Sequence, residues 1–197
     1  MKVRETGTEQ LIKDTAKRVF FAEGRLHAST QDIADAAGIS RTSLHYYFRS
    51  RDELMRQVFN EALQKLDSKL YVVMDSSISF ANKIEKMTEV YLEEMIVFPY
   101  TEIFLVTEMI SKNSKLFNIA EKGTSHIQSF IDEIEAEMNA GNITKMDPIH
   151  YLLNLFSLTA YPLVISPLHK QLFNLSNEEY HKKILERKRI IVDIMLR

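Results

Sequence analysis

The densest run of residues able to do chemistry lies between Thr30 and Leu54, TQDIADAAGISRTSLHYYFRSRDEL. Within it Arg41, Thr42, Ser43 and His45 place a guanidinium, two short hydroxyls and an imidazole within five positions. Such a set donates and accepts hydrogen bonds at short reach, which is what reading base edges in a DNA major groove requires. Arg41 can meet a guanine through two parallel hydrogen bonds, a contact worth roughly 1–3 kcal/mol of discrimination. Leu44 and Phe48 supply the opposite, inward side. Catalysis finds no comparable set. His27, His45, His126, His150, His169 and His181 are scattered without an i, i+4 pair, and the chain has no cysteine. Neither a metal centre, a disulfide nor a thiol nucleophile is expected. With no glycine-rich phosphate loop and no G-x-S-x-G elbow, no catalytic residue and no cofactor is assigned, and the chain is not read as an enzyme.

These side chains need short helices to hold them. Leu11, Ile12, Ala16, Val19 and Phe20 recur at three- and four-residue spacing up to Gly24, which predicts a first helix. Ser29 or Thr30 offers a capping hydroxyl to a second helix with Ile33, Ala34 and Ala37 inward, closed after two turns by Gly38. Ser40 caps a third helix, about Arg41 to Tyr47. Two short helices with small residues on the packing face, joined by a Gly-Ile turn, are the recipe for a helix-turn-helix. A long fourth helix follows, with Leu54, Val58, Ala62, Leu66 and Leu70 each four residues apart. Beyond it the period stays helical and no strand pattern competes, so the fold class is all-α with about nine helices.

The run from Leu11 to Leu54 resembles the TetR (tetracycline-repressor) family. The residues that carry the resemblance are Thr30, Ile33-Ala34, Ala36-Ala37-Gly38-Ile39-Ser40, Leu44, Tyr46-Tyr47-Phe48, Arg51 and Leu54. It implies a helix-turn-helix DNA-binding domain over residues 1–54 and a helical ligand-binding and dimerisation domain over 55–197. It also implies base contacts from Arg41, Thr42, Ser43 and His45, and phosphate contacts from Thr30, Tyr46, Tyr47 and Arg51. Thr42 stands where the family often has glycine, and His45 where it usually has tyrosine, so the operator sequence is not carried over. A regulator of this kind, most often a repressor, binds a pseudo-palindromic operator as a homodimer through its last two helices and is released by a small apolar or aromatic effector.

Composition fits this frame. The charge is −2 overall, yet the residues up to Arg56 hold 10 basic against 8 acidic side chains and the remainder 15 against 19. The modest asymmetry has the sign that a DNA-facing N-terminal piece needs. MKVRETGTEQ lacks the apolar core of a secretory signal, so a cytoplasmic location is expected. Pro148 to His169 carries no Asp, Glu, Lys or Arg, but its Pro, His, Asn, Ser and Thr residues suit an interface helix better than a membrane span. Tyr91, Met95, Phe98, Phe104, Met109 and Phe130, with Phe117, are the candidates to wall an apolar ligand pocket. Leu152, Leu155, Phe156, Leu158 and Thr159 with Ile184, Ile191 and Ile194 are the candidate dimer seam. Asp132, Glu133, Glu135 and Glu137, and the basic run from Lys182 to Arg189, read as solvated faces. Two other readings use the same residues: a constitutive DNA-bound regulator with no effector, whose interior would be solidly packed, and a helical ligand carrier or enzyme with no salt-sensitive DNA affinity.

Overall fold

The computed structural model describes residues 2–110 and 124–197, and among them every regular element is helical. The ten α-helices are α1 (Lys2–Lys17), α2 (Thr30–Ala37), α3 (Arg41–Tyr47), α4 (Arg51–Met74), α5 (Phe80–Val97), α6 (Thr101–Ile110), α7 (Thr124–Asn139), α8 (Pro148–Val164), α9 (Ser166–Leu172) and α10 (Asn177–Met195). Among the described residues there is one more helix than the apolar period suggests. The uncharged segment breaks at Ile165 and turns by 69° into α9. Pro162 and Pro167 flank the break, and neither ring can donate the backbone bond that would carry the helix through. No single helix among the described residues is long and apolar enough to cross a membrane.

The chain forms two compact units. The first holds the described residues up to Lys65 together with those from Val97 to Ile110; the second holds Leu66–Ile96 and 124–197. α4 is continuous through the boundary between Lys65 and Leu66.

In the first unit, α1 widens into a π-helical turn over Arg18–Ala22, closed by Glu23 N–H on the Arg18 carbonyl at 2.9 Å. The wider turn lets three consecutive residues, Val19, Phe20 and Phe21, all lie buried. Phe21, Phe59 and Phe104 then meet pairwise, with ring centroids 4.7–6.0 Å apart. Leu11, expected inward, is 45% exposed, because Ile12 takes the core-facing position of that turn.

The second unit packs Ile84, Met87, Phe130, Ile134, Tyr151, Ile184 and Ile191 into one core, with Phe80 stacked on Phe130 at 5.9 Å. Buried Lys83 is held there by the Met74 carbonyl at 2.8 Å and by Glu133 at 2.7 Å. Glu133 is therefore not part of a merely solvated face, and Lys188 likewise pairs with Glu85 and Glu89 at 3.2 and 3.1 Å. The expected dimer seam also needs correction. Leu152, Leu155, Thr159, Ile184 and Ile191 are buried within this one chain, and Leu158 is half-buried. The apolar residues left exposed on the last three helices are Ile149, Leu153, Phe156 and Tyr161 on α8, Leu168 and Leu172 on α9, and Leu185, Ile190 and Ile194 on α10. Uncharged α8 is apolar nearly all round, so its period alone does not say which side meets its own core.

Candidate nucleic-acid interface

Ser29, and not Thr30, is the N-cap of α2. Its hydroxyl accepts the Asp32 amide at 3.2 Å while the Asp32 carboxylate accepts the Ser29 amide at 2.7 Å, a reciprocal capping box. Hydrogen bonds from the Ser29 side chain and backbone, aided by Arg25 at 3.1 Å, hold the Asp32 carboxyl below its ordinary range. The helix ends on Gly38 at φ +67°, where the Ile39 amide returns to the Ala34 carbonyl at 3.0 Å. Ser40 then caps α3, accepting the Ser43 amide at 3.1 Å. Seven residues of helix have little intrinsic stability, so α3 depends on its inward side. Burying Leu44 there, with Phe48 just past its end, supplies roughly 1.5–3 kcal/mol each.

The outward side is what remains. Arg41 and Thr42 are exposed, Ser43 and His45 are partly so, and Tyr46 is 75% exposed. Arg41 Nε donates to His45 Nε2 at 3.2 Å, one turn along. Tyr46 and half-buried Tyr47 meet edge to face at 5.1 Å. Six of the eight candidate DNA contacts thus lie together on one helix. The other two stand apart. Thr30 is buried at the first turn of α2. Arg51, at the start of α4, is engaged by the chain itself: it donates to the Leu26 carbonyl and, at 2.9 Å, to the Ala28 carbonyl, pairs with Asp52 at 2.8 Å, and lies over the Phe20 ring at 5.6 Å. It fixes the approach to α2 before it can do anything else. Arg49 was not singled out in the sequence, yet it is exposed directly after α3; a basic residue behind the aromatic cluster was the available signal.

These features match a family model. Residues 12–58 fit "Bacterial regulatory proteins, tetR family". Residues 12–58 carry the N-terminal segment of the TetR family. The proteins that the chain resembles are named as transcription regulators. The repressor KstR2 of Mycolicibacterium smegmatis is 33% identical to it over 73 residues, covering 36% of this chain and 34% of the relative, so the match spans about a third of that relative's length. Two solved TetR-family regulators share the fold over the whole chain. That from Haemophilus influenzae is 17% identical with TM-score 0.61, covering 95% of this chain and 98% of the other. PfmR from Thermus thermophilus is 18% identical with TM-score 0.62, covering 95% and 94%.

The described candidate ligand residues are divided between the two units. Tyr91, Met95 and Phe130 are buried in the second unit's core, whereas Phe104 packs on Phe21 and Phe59 in the first and Phe98 lies beneath the Lys17 ammonium at 3.7 Å. The Met109 side chain and Phe117 lie outside the described residues. Beside Tyr91 the free space is about 10 Å³. A far larger, half-open cavity of about 750 Å³ is found instead in the second unit, walled by Met146, Tyr161 and Ile194 with Arg187 and His169.

Proposed function

We propose that this protein regulates transcription as a homodimer that places one copy of α3 in each of two major grooves of a pseudo-palindromic operator, and that a small molecule releases it. The observation that carries the reading is α3 itself: Ser40-capped, anchored by Leu44 and Phe48, and presenting Arg41, Thr42, Ser43, His45, Tyr46 and Tyr47 outward. The first residues of such a helix meet bases, and hydroxyls and cations around it meet phosphates. Arg41 and His45 act as one polar unit toward the bases, Tyr46 and Tyr47 toward the backbone. Thr30 contributes from the α2 terminus, and Arg51 with whatever donors its internal bonds leave. The exposed apolar residues of α8, α9 and α10 are the dimer surface of this reading, and an effector in the second unit acts through α4, the helix common to both units.

A titration of the duplex from the chain's own upstream region against a scrambled duplex tests this. Wild-type chain prefers the first, with affinity that falls as salt rises. Arg41→Ala abolishes most of that preference while leaving salt-sensitive binding to both, a loss of roughly 1–3 kcal/mol. Equal wild-type affinity for the two duplexes at every salt concentration contradicts the proposal.

A further inference from the structure

Arg51 opens α4, four residues past the end of α3, and its guanidinium reaches back across both short helices. Nε donates to the Ala28 carbonyl at 2.9 Å and Nη2 to the Leu26 carbonyl, 23 and 25 positions earlier in the chain. The planar fork lies over the Phe20 ring at 5.6 Å, and that ring is itself buried in the wide turn that ends the first helix. Both carbonyls belong to the bend before α2, where the Ala28 amide closes on the Arg25 carbonyl at 2.9 Å and Ser29 caps the helix. One side chain therefore shuts a loop whose regular elements are α2 and α3.

These bonds engage three of the five N–H donors of a guanidinium, the third by Asp52 at 2.8 Å. Asp52 is far the more exposed member of that pair, so a phosphate arriving at Arg51 would meet the carboxylate as well. Arg49 is the opposite case. It is exposed just past α3, and its guanidinium has no hydrogen bond or ion pair among the described residues. The Glu53 carboxylate instead accepts the Arg49 backbone amide at 3.2 Å, and the Ser50 hydroxyl accepts the Glu53 amide at 3.1 Å. The backbone of Arg49 is thus fixed while its charge is left to solvent.

We propose that the two arginines divide the DNA work: Arg51 is a positioning residue that straps the segment before α2 to the start of α4, and Arg49 meets a backbone phosphate. A cation engaged on carbonyls and a carboxylate releases few counterions on binding, whereas a free guanidinium beside α3 contributes its full share. The inference deepens the proposed function, rests on it for the DNA half, and narrows what Arg51 contributes there.

Two measurements on the full chain test this. Without DNA, hydrogen–deuterium exchange over residues 25–30 is at least about tenfold faster in Arg51→Gln than in wild type, because two bonds from a charged donor are lost. Arg49→Gln leaves that exchange unchanged. With the upstream and scrambled duplexes over a salt series, Arg49→Gln lowers the slope of log affinity against log salt by about 0.9 per copy on the duplex, and Arg49→Lys restores it. Arg51→Gln keeps the wild-type slope, while the ratio of upstream to scrambled affinity falls at least about tenfold. Arg51→Lys keeps the charge without the fork, behaves as Arg51→Gln does, and decides the matter should the glutamine variant fail to fold by circular dichroism. A lower slope in Arg51→Gln, an unchanged slope in Arg49→Gln, or wild-type exchange over residues 25–30 in both Arg51 variants overturns the division. Should the wild-type chain not discriminate the duplexes, the proposed function falls and the Arg49 contact with it, while the exchange result still decides the strap.

Discussion

Gly24 and Gly38 share a left-handed backbone, with φ of +71° and +67°, and differ in what surrounds them. A Cβ at Gly38 would meet nothing within 4 Å, whereas one at Gly24 would come within 2.5 Å of the Tyr100 ring. Alanine at Gly38 therefore costs only the backbone term, about 1 kcal/mol, and alanine at Gly24 adds overpacking for a total of about 2–4 kcal/mol. Urea unfolding of the two variants checks the order; equal losses would show that Tyr100 yields freely. Both glycines were legible as helix ends, since little else tolerates that backbone. The tyrosine against Gly24 was not, because 76 positions of chain separate them. The same holds for Arg51. Its basic character and place in the motif are written in the sequence, but the carbonyls of Leu26 and Ala28 that occupy it become visible only once α2 and α4 are in place.

At the scale of elements, apolar spacing located the first four helices and the all-α class but not α9, and cap residues placed the ends of α2 and α3 to within a residue. Faces were harder. Where polar residues alternate with apolar ones, as around Leu54, Val58, Ala62, Leu66 and Leu70 on α4, the buried side was plain. α8 has no such contrast: of the residues assigned to its outer seam, Leu152, Leu155 and Thr159 are inner ones, while Phe156 is exposed. Charge also hid its partners: Lys83 looks like any helix-surface lysine, yet it is 6% exposed and ties the end of α4 to α7 through the Met74 carbonyl and Glu133. Lys83→Met should cost about 1–3 kcal/mol in urea unfolding, less than a fully buried pair because Glu133 keeps some access to water. Glu133→Gln on that background should add little. A full additive loss in the double variant would mean that the two side chains do not act together.

For the whole molecule, the first unit carries α3 and the family match, while the second unit carries the cavity and the exposed apolar residues of α8, α9 and α10. The motif made the first unit readable because its packing residues, Leu44 and Phe48 among them, sit at fixed places in it. No such pattern marks the cavity, whose lining residues are spread from Thr144 to Arg197. The central claim is that two copies of α3 read DNA from a symmetric dimer, and hydroxyl-radical footprinting of the full chain on its upstream duplex tests it most directly. Two symmetry-related protected patches, centred about 10 bp or a whole multiple of that apart, are the predicted result. A single unpaired patch, or no protection at concentrations where the chain is folded, contradicts the account.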